Sequence, residues 1–281
     1  MTASISTGRR RGKAFTYLLL VVGSGFVIVP FWFMVATSLK PQAYIFDIPP
    51  KLIPEEVTTA NYTEALGKDL FGIYFLNSMV VATAAVALTL FLSSLLAYAF
   101  ARLEFPGKER IFYLLLIGMM VPPVMLIIPQ FLVAKSLKLL DSLVGLVVVY
   151  VAMNVSMQTF LLRGFFESIP RELEEAALID GASRWKIMWR IILPLSRPGL
   201  AVVSIFTFLY AWDEFPWAHV AIRETTKRTL PIGIALFQSQ HLTQWGRVFA
   251  ASIVALVPVV LVFAVFQRYF VRGISTTGLK G

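Results

Sequence analysis

Between Ser168 and Pro194 the chain concentrates charge in the run SIPRELEEAALIDGASRWKIMWRIILP, and the residue types there suit mechanical coupling better than covalent chemistry. Glu175-Ala176-Ala177 is followed after three residues by Gly181, and after nine more by Ile191, Leu193 and Pro194. Pro170 has the fixed backbone angle of a helix's first turn, and Glu172, Glu174 and Glu175 just after it complement the positive end of the helix dipole. A short helix is expected from there to about Asp180, ended by Gly181, which enters the left-handed conformation without steric cost. Ser183 then caps a second helix on which Trp185, Met188, Trp189 and Ile192 fall at i, i+3, i+4 and i+7, opposite Arg184, Lys186 and Arg190. Such a helix lies along a membrane boundary. On the first helix Leu173, Ala176, Ala177 and Asp180 line one side with mostly small groups, so another protein's backbone can come close while acids meet basic partners. Two rods joined at a glycine elbow pass a push from a soluble partner into whatever they are attached to.

Other constellations offer less. Trp212-Asp213-Glu214-Phe215-Pro216-Trp217 places two carboxylates among aromatic rings, which suits either sugar hydroxyls on a translocation path or an aromatic belt at a membrane boundary. Asn77, Asn154, Ser156 and Gln158 are polar groups in or near apolar runs, serving either interhelical hydrogen bonds or path contacts. Pro122, Pro123 and Pro129 remove intrahelical hydrogen bonds, so the segment carrying them is expected to kink or partly unwind, as a packing device or as a water-exposed bend. His219 and His241 have no partners at metal-ligand spacing, and no metal site is expected. Gly8 to Lys13 only faintly resembles a phosphate loop, because Ala14 replaces the required Ser or Thr and no strand precedes it. No nucleotide or other cofactor is therefore expected on this chain.

The elements that must position these residues are set by composition. The chain has 281 residues, 58% of them hydrophobic and 15% charged, with mean hydropathy +0.76. A soluble chain carries about 25% charged residues. Crossing the roughly 30 Å hydrocarbon layer takes about 20 apolar residues, and six runs qualify: Phe15 to Leu39, Ile73 to Ala101, Ile111 to Ala134, Leu143 to Leu162, Leu200 to Val220 and Val248 to Phe270. The first is too long for a signal-peptide core and has no small-residue cleavage site after it, so it is expected to stay as an anchor. With the amino terminus inside, 16 of the 25 basic residues face the cytoplasm. That excess obeys the positive-inside rule, puts both termini in the cytoplasm and turns the net charge of +9 into a topological device rather than a nucleic-acid surface. Residues 1–13 form a loose basic tail, and the outer loop Lys40 to Gly72, with four prolines, is expected to run extended. Cysteine is absent, which removes disulfides and thiolate sites.

Glu175-Ala176-Ala177, Gly181, Ile191, Leu193 and Pro194 together match the EAA signature of permease subunits in binding-protein-dependent ABC importers. The resemblance covers nearly the whole chain, extending to Thr37-Ser38-Leu39-Lys40, Ala97-Tyr98-Ala99-Phe100-Ala101-Arg102 and the carboxyl tail ending Gly-Leu-Lys-Gly. These flanks resemble the carbohydrate branch and its shorter maltose-type permease. The family more often has Asn where this chain has Asp213. The resemblance implies an all-α membrane protein of the type I importer permease fold: six transmembrane helices over residues 14–273, a cytoplasmic coupling loop at 168–194 and a cytoplasmic tail at 274–281. It implies that Glu172, Glu175, Ala176, Ala177, Asp180, Gly181, Ile191, Leu193 and Pro194 couple to an ATPase. Asn77, Pro122, Asn154, Trp212, Asp213 and Glu214 are then candidates for the translocation path, and Phe237, Gln238 and Gln240 for contact with the receptor.

The implied partners are a second homologous permease, two ATP-binding subunits that hold ATP and Mg²⁺, an extracytoplasmic substrate-binding protein and the lipid bilayer, with no nucleic acid. The chain is then a non-catalytic inner-membrane subunit whose cargo is a sugar or sugar derivative; a polyol or a glycerol phosphate ester is the alternative cargo. An ion-coupled carrier would show charged or unwound mid-span sites in paired halves, whereas Asp213 and Glu214 are off centre and unrepeated. An intramembrane enzyme would need a catalytic set deep in the spans, and none is visible.

Overall fold

The computed structural model describes residues 4–67, 70–238 and 243–277, and every regular element among them is helical. Four helices are long and apolar enough to cross a membrane, and two further pairs, each bent at a break, bring the number to as many as six. The chain divides into two compact units, residues 1–69 with 234–254 and residues 70–233 with 255–281.

In the first unit, helix α1 (Ser4–Ser38) supplies the span Phe15–Ser38, none of whose most apolar window is buried within the chain. The loop after it is not merely extended. It carries helix α2 (Ala60–Gly67), which the prolines obscured. The buried Asn61 amide donates to the carbonyls of Ser38 and Lys40, both at 2.8 Å, so one side chain satisfies two carbonyls that the end of α1 leaves open. Lys40 Nζ donates to the Lys51 carbonyl at 2.6 Å and ties down the proline-rich stretch.

The second unit is built on α3 (Phe71–Arg102) and α6 (Leu143–Glu167), which pack along each other. Ser78, Ala82, Ala85, Thr89, Ser93, Ala97 and Ala101 are buried along one face of α3, and small groups at this spacing let a neighbouring backbone approach closely. On α6 the buried face is Leu146, Tyr150, Asn154, Gln158, Leu162 and Phe166, a ridge repeating every four residues. Between them run α4 (Lys108–Ile117) and α5 (Ile127–Ser136), separated by two 3₁₀ turns and bent by 94°. The break lies at Pro122-Pro123, where two successive residues lack an N–H donor; Pro129 sits in the first turn of α5 and breaks nothing.

After α6 come α7 (Glu172–Ile179), α8 (Arg184–Ile187), a π-helical turn at Met188–Ile192 and α9 (Leu193–Leu195). Helix α10 (Arg197–Asp213) follows at a 78° bend. The fifth apolar run is therefore shorter than its hydropathy: α10 stops at Asp213, and α11 (Pro216–Ala221) starts beyond Glu214. The last helices are α12 (Leu230–Ala235) and α13 (Trp245–Thr277).

Candidate functional site

Helix α7 is closed by a complete Schellman cap. The Ala182 N–H reaches the Ala177 carbonyl at 2.9 Å and the Gly181 N–H reaches the Leu178 carbonyl at 3.0 Å, with Gly181 at φ +79°. Both Ala177 and Ala182 pack against the inner apolar cluster, which supplies the hydrophobic contact that accompanies such caps. The spacing from Ala177 to Gly181 is thus a physical requirement of the elbow. Ser183 Oγ accepts the Lys186 N–H at 3.3 Å and starts the second rod.

That second rod turns differently from the expected amphipathic helix. Its π turn lies just before Pro194, whose ring has no N–H to give and crowds the Arg190 carbonyl four residues back. Ile187, Met188, Ile192 and Leu193 are buried, whereas Trp185 and Trp189 stand 58% and 43% exposed and meet edge to face at 5.7 Å. The expected single face of Trp185, Met188, Trp189 and Ile192 is therefore split: the tryptophans face out and their place inside is taken by Ile187.

The two sides of α7 also differ. Glu172, Leu173, Glu175, Ala176 and Asp180 are exposed, and so are Leu178 and Ile179, the latter at 87%. Ala177 is half-buried. Glu174 is the one acid of α7 that turns inward, where its Oε1 lies 2.5 Å from Nε of Arg102, the last residue of α3; the two side chains are 11% and 4% exposed. Arg102 Nη2 also donates to the carbonyls of Phe166 and Ile169, both at 2.6 Å, at the end of α6 and just past it. One guanidinium thus joins α3, α6 and α7. Removing either charge would strand the other in a buried site, at a cost of about 3–5 kcal/mol. Sequence reasoning counted Arg102 as a topological charge and Glu174 as a dipole partner; at a separation of 72 in sequence, nothing local joined them. Beside this junction lies a cavity of about 640 Å³ walled by Arg102, Lys108, Arg163, Glu167, Arg171 and Glu172.

The candidate path residues are spread out and mostly committed to internal bonds. The Asn77 amide donates to the carbonyls of Thr226 at 2.8 Å and Arg228 at 2.9 Å, so it fastens a loop. Asn154 is buried on the α6 ridge and donates to the Tyr150 carbonyl of its own helix, not to a neighbouring helix. Trp212 is 2% exposed, stacked on Phe208, with its indole N–H on the Ala255 carbonyl, so its ring is committed to packing within the chain. Asp213 is exposed at the end of α10.

Glu214 accepts the Tyr150 hydroxyl at 2.7 Å and the N–H groups of Trp217 and Ala218 at 2.7 and 3.0 Å, so it caps α11. It also lines a cavity of about 180 Å³ with Pro123, Gln130, Met153, Tyr210 and Trp217. The cavity brings Glu214 to the broken third span, while Asn77, Asn154 and Trp212 stay outside it. Phe237 is 8% exposed and so buried rather than presented to a receptor; Gln238 is exposed, and Gln240 and His241 lie outside the described residues. His219 stacks on Phe215 at 5.1 Å.

At the loop before α6, Asp141 Oδ1 accepts the N–H groups of Arg223 at 3.0 Å and Glu224 at 2.9 Å, a clasp the sequence did not signal. The N–H of Glu224 is the main cause that holds the Asp141 carboxyl below its ordinary 3.8.

Comparison with known proteins fits this architecture. Residues 90–276 match the family of binding-protein-dependent transport system inner membrane components. The chain is 36% identical over 277 residues to the diacetylchitobiose uptake system permease protein NgcG of Streptomyces coelicolor, covering 98% of this chain and 91% of that one. It is 34% identical over 278 residues to the trehalose/maltose transport system permease protein MalG of Thermococcus litoralis, covering 96% and 99%. The fold matches a chain of a bacterial ABC transporter involved in the import of the acidic polysaccharide alginate, with a TM-score of 0.81 at 23% identity over 94% of this chain and 98% of that one. The fold is thus that of an importer permease chain, and the family match and the relatives define the class, a membrane permease of binding-protein-dependent transport. The chain belongs to the family of binding-protein-dependent transport system inner membrane components.

Proposed function

We propose that this chain forms half of the translocation pathway of an ATP-driven importer for a sugar or sugar derivative. In this reading it pairs with a second, related permease, two ATP-binding subunits and an extracytoplasmic binding protein, and ATP and Mg²⁺ are held by the ATP-binding subunits. The chain itself carries no catalytic step. It sits in the inner membrane with both termini in the cytoplasm, the domain spanning 14–273 between short tails at 1–13 and 274–281.

The observation that carries this reading is the asymmetry of α7. Its inner side is pinned by Glu174 to Arg102, and its outer side presents exposed Glu172, Glu175, Ala176, Leu178, Ile179 and Asp180. Exposed apolar groups flanked by charge at the end of a rigid rod mark a contact site for another protein. Ala177 and Gly181 set the elbow, and Ile191, Leu193 and Pro194 set the second rod that leads into α10. Closure of the ATPase pair moves α7, and with it the ends of α3 and α6, so the pathway opens outward as the binding protein releases its load. The names of the relatives support a sugar cargo. Exposed Pro122 and Asp213 and the Glu214 cavity are the candidates for solute contact in this reading, and exposed Gln238 is the candidate for the receptor.

The test is reconstitution of the copurified complex in liposomes, followed by uptake of maltose, trehalose and diacetylchitobiose. The reading predicts uptake that needs internal ATP and the binding protein. Uptake driven by a proton or sodium gradient with no ATP would overturn it.

A further inference from the structure

We propose that α3 is the strut that carries binding-protein docking to the coupling helix, with Asn77 and Ser78 as its outer pin and Arg102 as its inner pin. The proposal rests on the reading of α7 as the ATPase contact and on cytoplasmic termini, which put the loop at 222–230 on the outer side, toward the binding protein.

At the outer end, Asn77 donates to the carbonyls of Thr226 and Arg228, and the Leu230 N–H donates to Ser78 Oγ at 2.8 Å in a buried site. A side chain at Gly233 would run into the Tyr74 ring, so α12 also begins hard against α3. At the inner end, Arg102 holds Glu174 and two carbonyls of the α6 terminus, and the Tyr98 hydroxyl reaches the Arg184 carbonyl at 3.4 Å. The two pins are 24 residues apart, about 36 Å at 1.5 Å per residue.

Between the pins the rod is stiff. No proline interrupts α3 or its neighbour α6, whereas the third span bends by 94°, the entry to α10 bends by 78°, and α1 and α13 carry internal prolines. Its buried stripe of small residues holds it close along α6 and α10, which resists bending. Among the described residues α3 is the helix with side-chain bonds both to the loop at 226–230 and to α7. A displacement of that loop therefore reaches α7 without passing through a hinge. Arg102 acts as a positioning residue in this scheme, through Glu174.

The experiment uses the full importer in liposomes and reads ATP hydrolysis with and without saturating binding protein purified with its natural sugar bound. Ser78→Ala leaves basal hydrolysis unchanged and cuts the stimulation by at least about fivefold, the lower end of typical coupling between sites, and Arg102→Gln cuts the stimulation by as much when it is read relative to that variant's own basal rate. The double variant is no worse than the worse single one, because either broken pin disconnects the same rod. Should Arg102→Gln fail to assemble, Arg102→Lys, which keeps the charge but cannot fork to three acceptors, takes its place. Retained stimulation in Ser78→Ala, or losses that multiply in the double variant, would overturn the strut. Absence of stimulation in the unaltered complex would instead overturn the functional reading on which it rests.

Discussion

Replacing Gly181 with alanine adds one methyl group that meets nothing within 4 Å, so the substitution tests backbone strain with no contribution from volume. At φ +79° an L side chain is strained, by about 1–2 kcal/mol for the left-handed conformation. That strain falls on the cap that joins the two rods, and it lowers the population of the intact elbow by roughly 5–30-fold against its alternatives. Asparagine tolerates the left-handed conformation, so Gly181→Asn keeps most of the elbow, while a β-branched valine loses more than alanine. The assay is sugar uptake per ATP hydrolysed in liposomes, with copurification of the ATPase as a control for assembly. The expected order is glycine, then asparagine, then alanine, then valine, with insertion intact throughout. Equal coupling in all four variants would refute the elbow. Failure of Asn together with Val, but not Ala, would mean that bulk rather than conformation decides.

Further perturbations address other parts. Glu214→Ala leaves the N–H groups of Trp217 and Ala218 and the Tyr150 hydroxyl without their acceptor, a loss of about 1–3 kcal/mol that should appear as a lower melting temperature in detergent, with Tyr150→Phe milder. Gly145→Ala puts a methyl group into the backbone carbonyl of Leu139 and should abolish assembled protein on a membrane-fraction blot. The Asp141 clasp has a defined acid sensitivity. Because its folded carboxyl is lowered, the stabilisation is present above the ordinary 3.8 and disappears as pH falls through the folded value. Protection of the Arg223 and Glu224 amides, read relative to an unstructured peptide at the same pH, should therefore stay high at neutral pH and fall only in strong acid, and Asp141→Ala should lower it at neutral pH while making little difference in strong acid.

What the sequence revealed about the coupling loop was what local chemistry decides. Gly181, Ser183 and Pro170 act on their nearest neighbours, and the ends of α7 and the start of α8 follow from them. Features that depend on distant partners were hidden. Glu174 looks like its neighbours Glu172 and Glu175 until the end of α3 is brought against it, and Trp185 and Trp189 satisfied a helical period whose inward place belongs to Ile187 and Met188. The prolines of the third span announced a kink, but only the adjacency of Pro122 and Pro123 explains a bend of 94°. The same residue type misled elsewhere, since four prolines hid α2. Asn77 and Trp212 carry polar atoms that hydropathy leaves unexplained, and their carbonyl partners lie on segments no local pattern could name.

The central claim is that α7 is gripped by an ATP-hydrolysing partner on the cytoplasmic side. Since the sequence contains no cysteine, Ala176→Cys places a single thiol on the exposed side of α7. A short thiol-directed crosslinker applied to the assembled importer should join this position to the ATP-binding subunit, and a membrane-impermeant label should reach it only from the inner face. Labelling from outside, or crosslinks that never capture the ATP-binding subunit in a complex competent for uptake, would contradict the account.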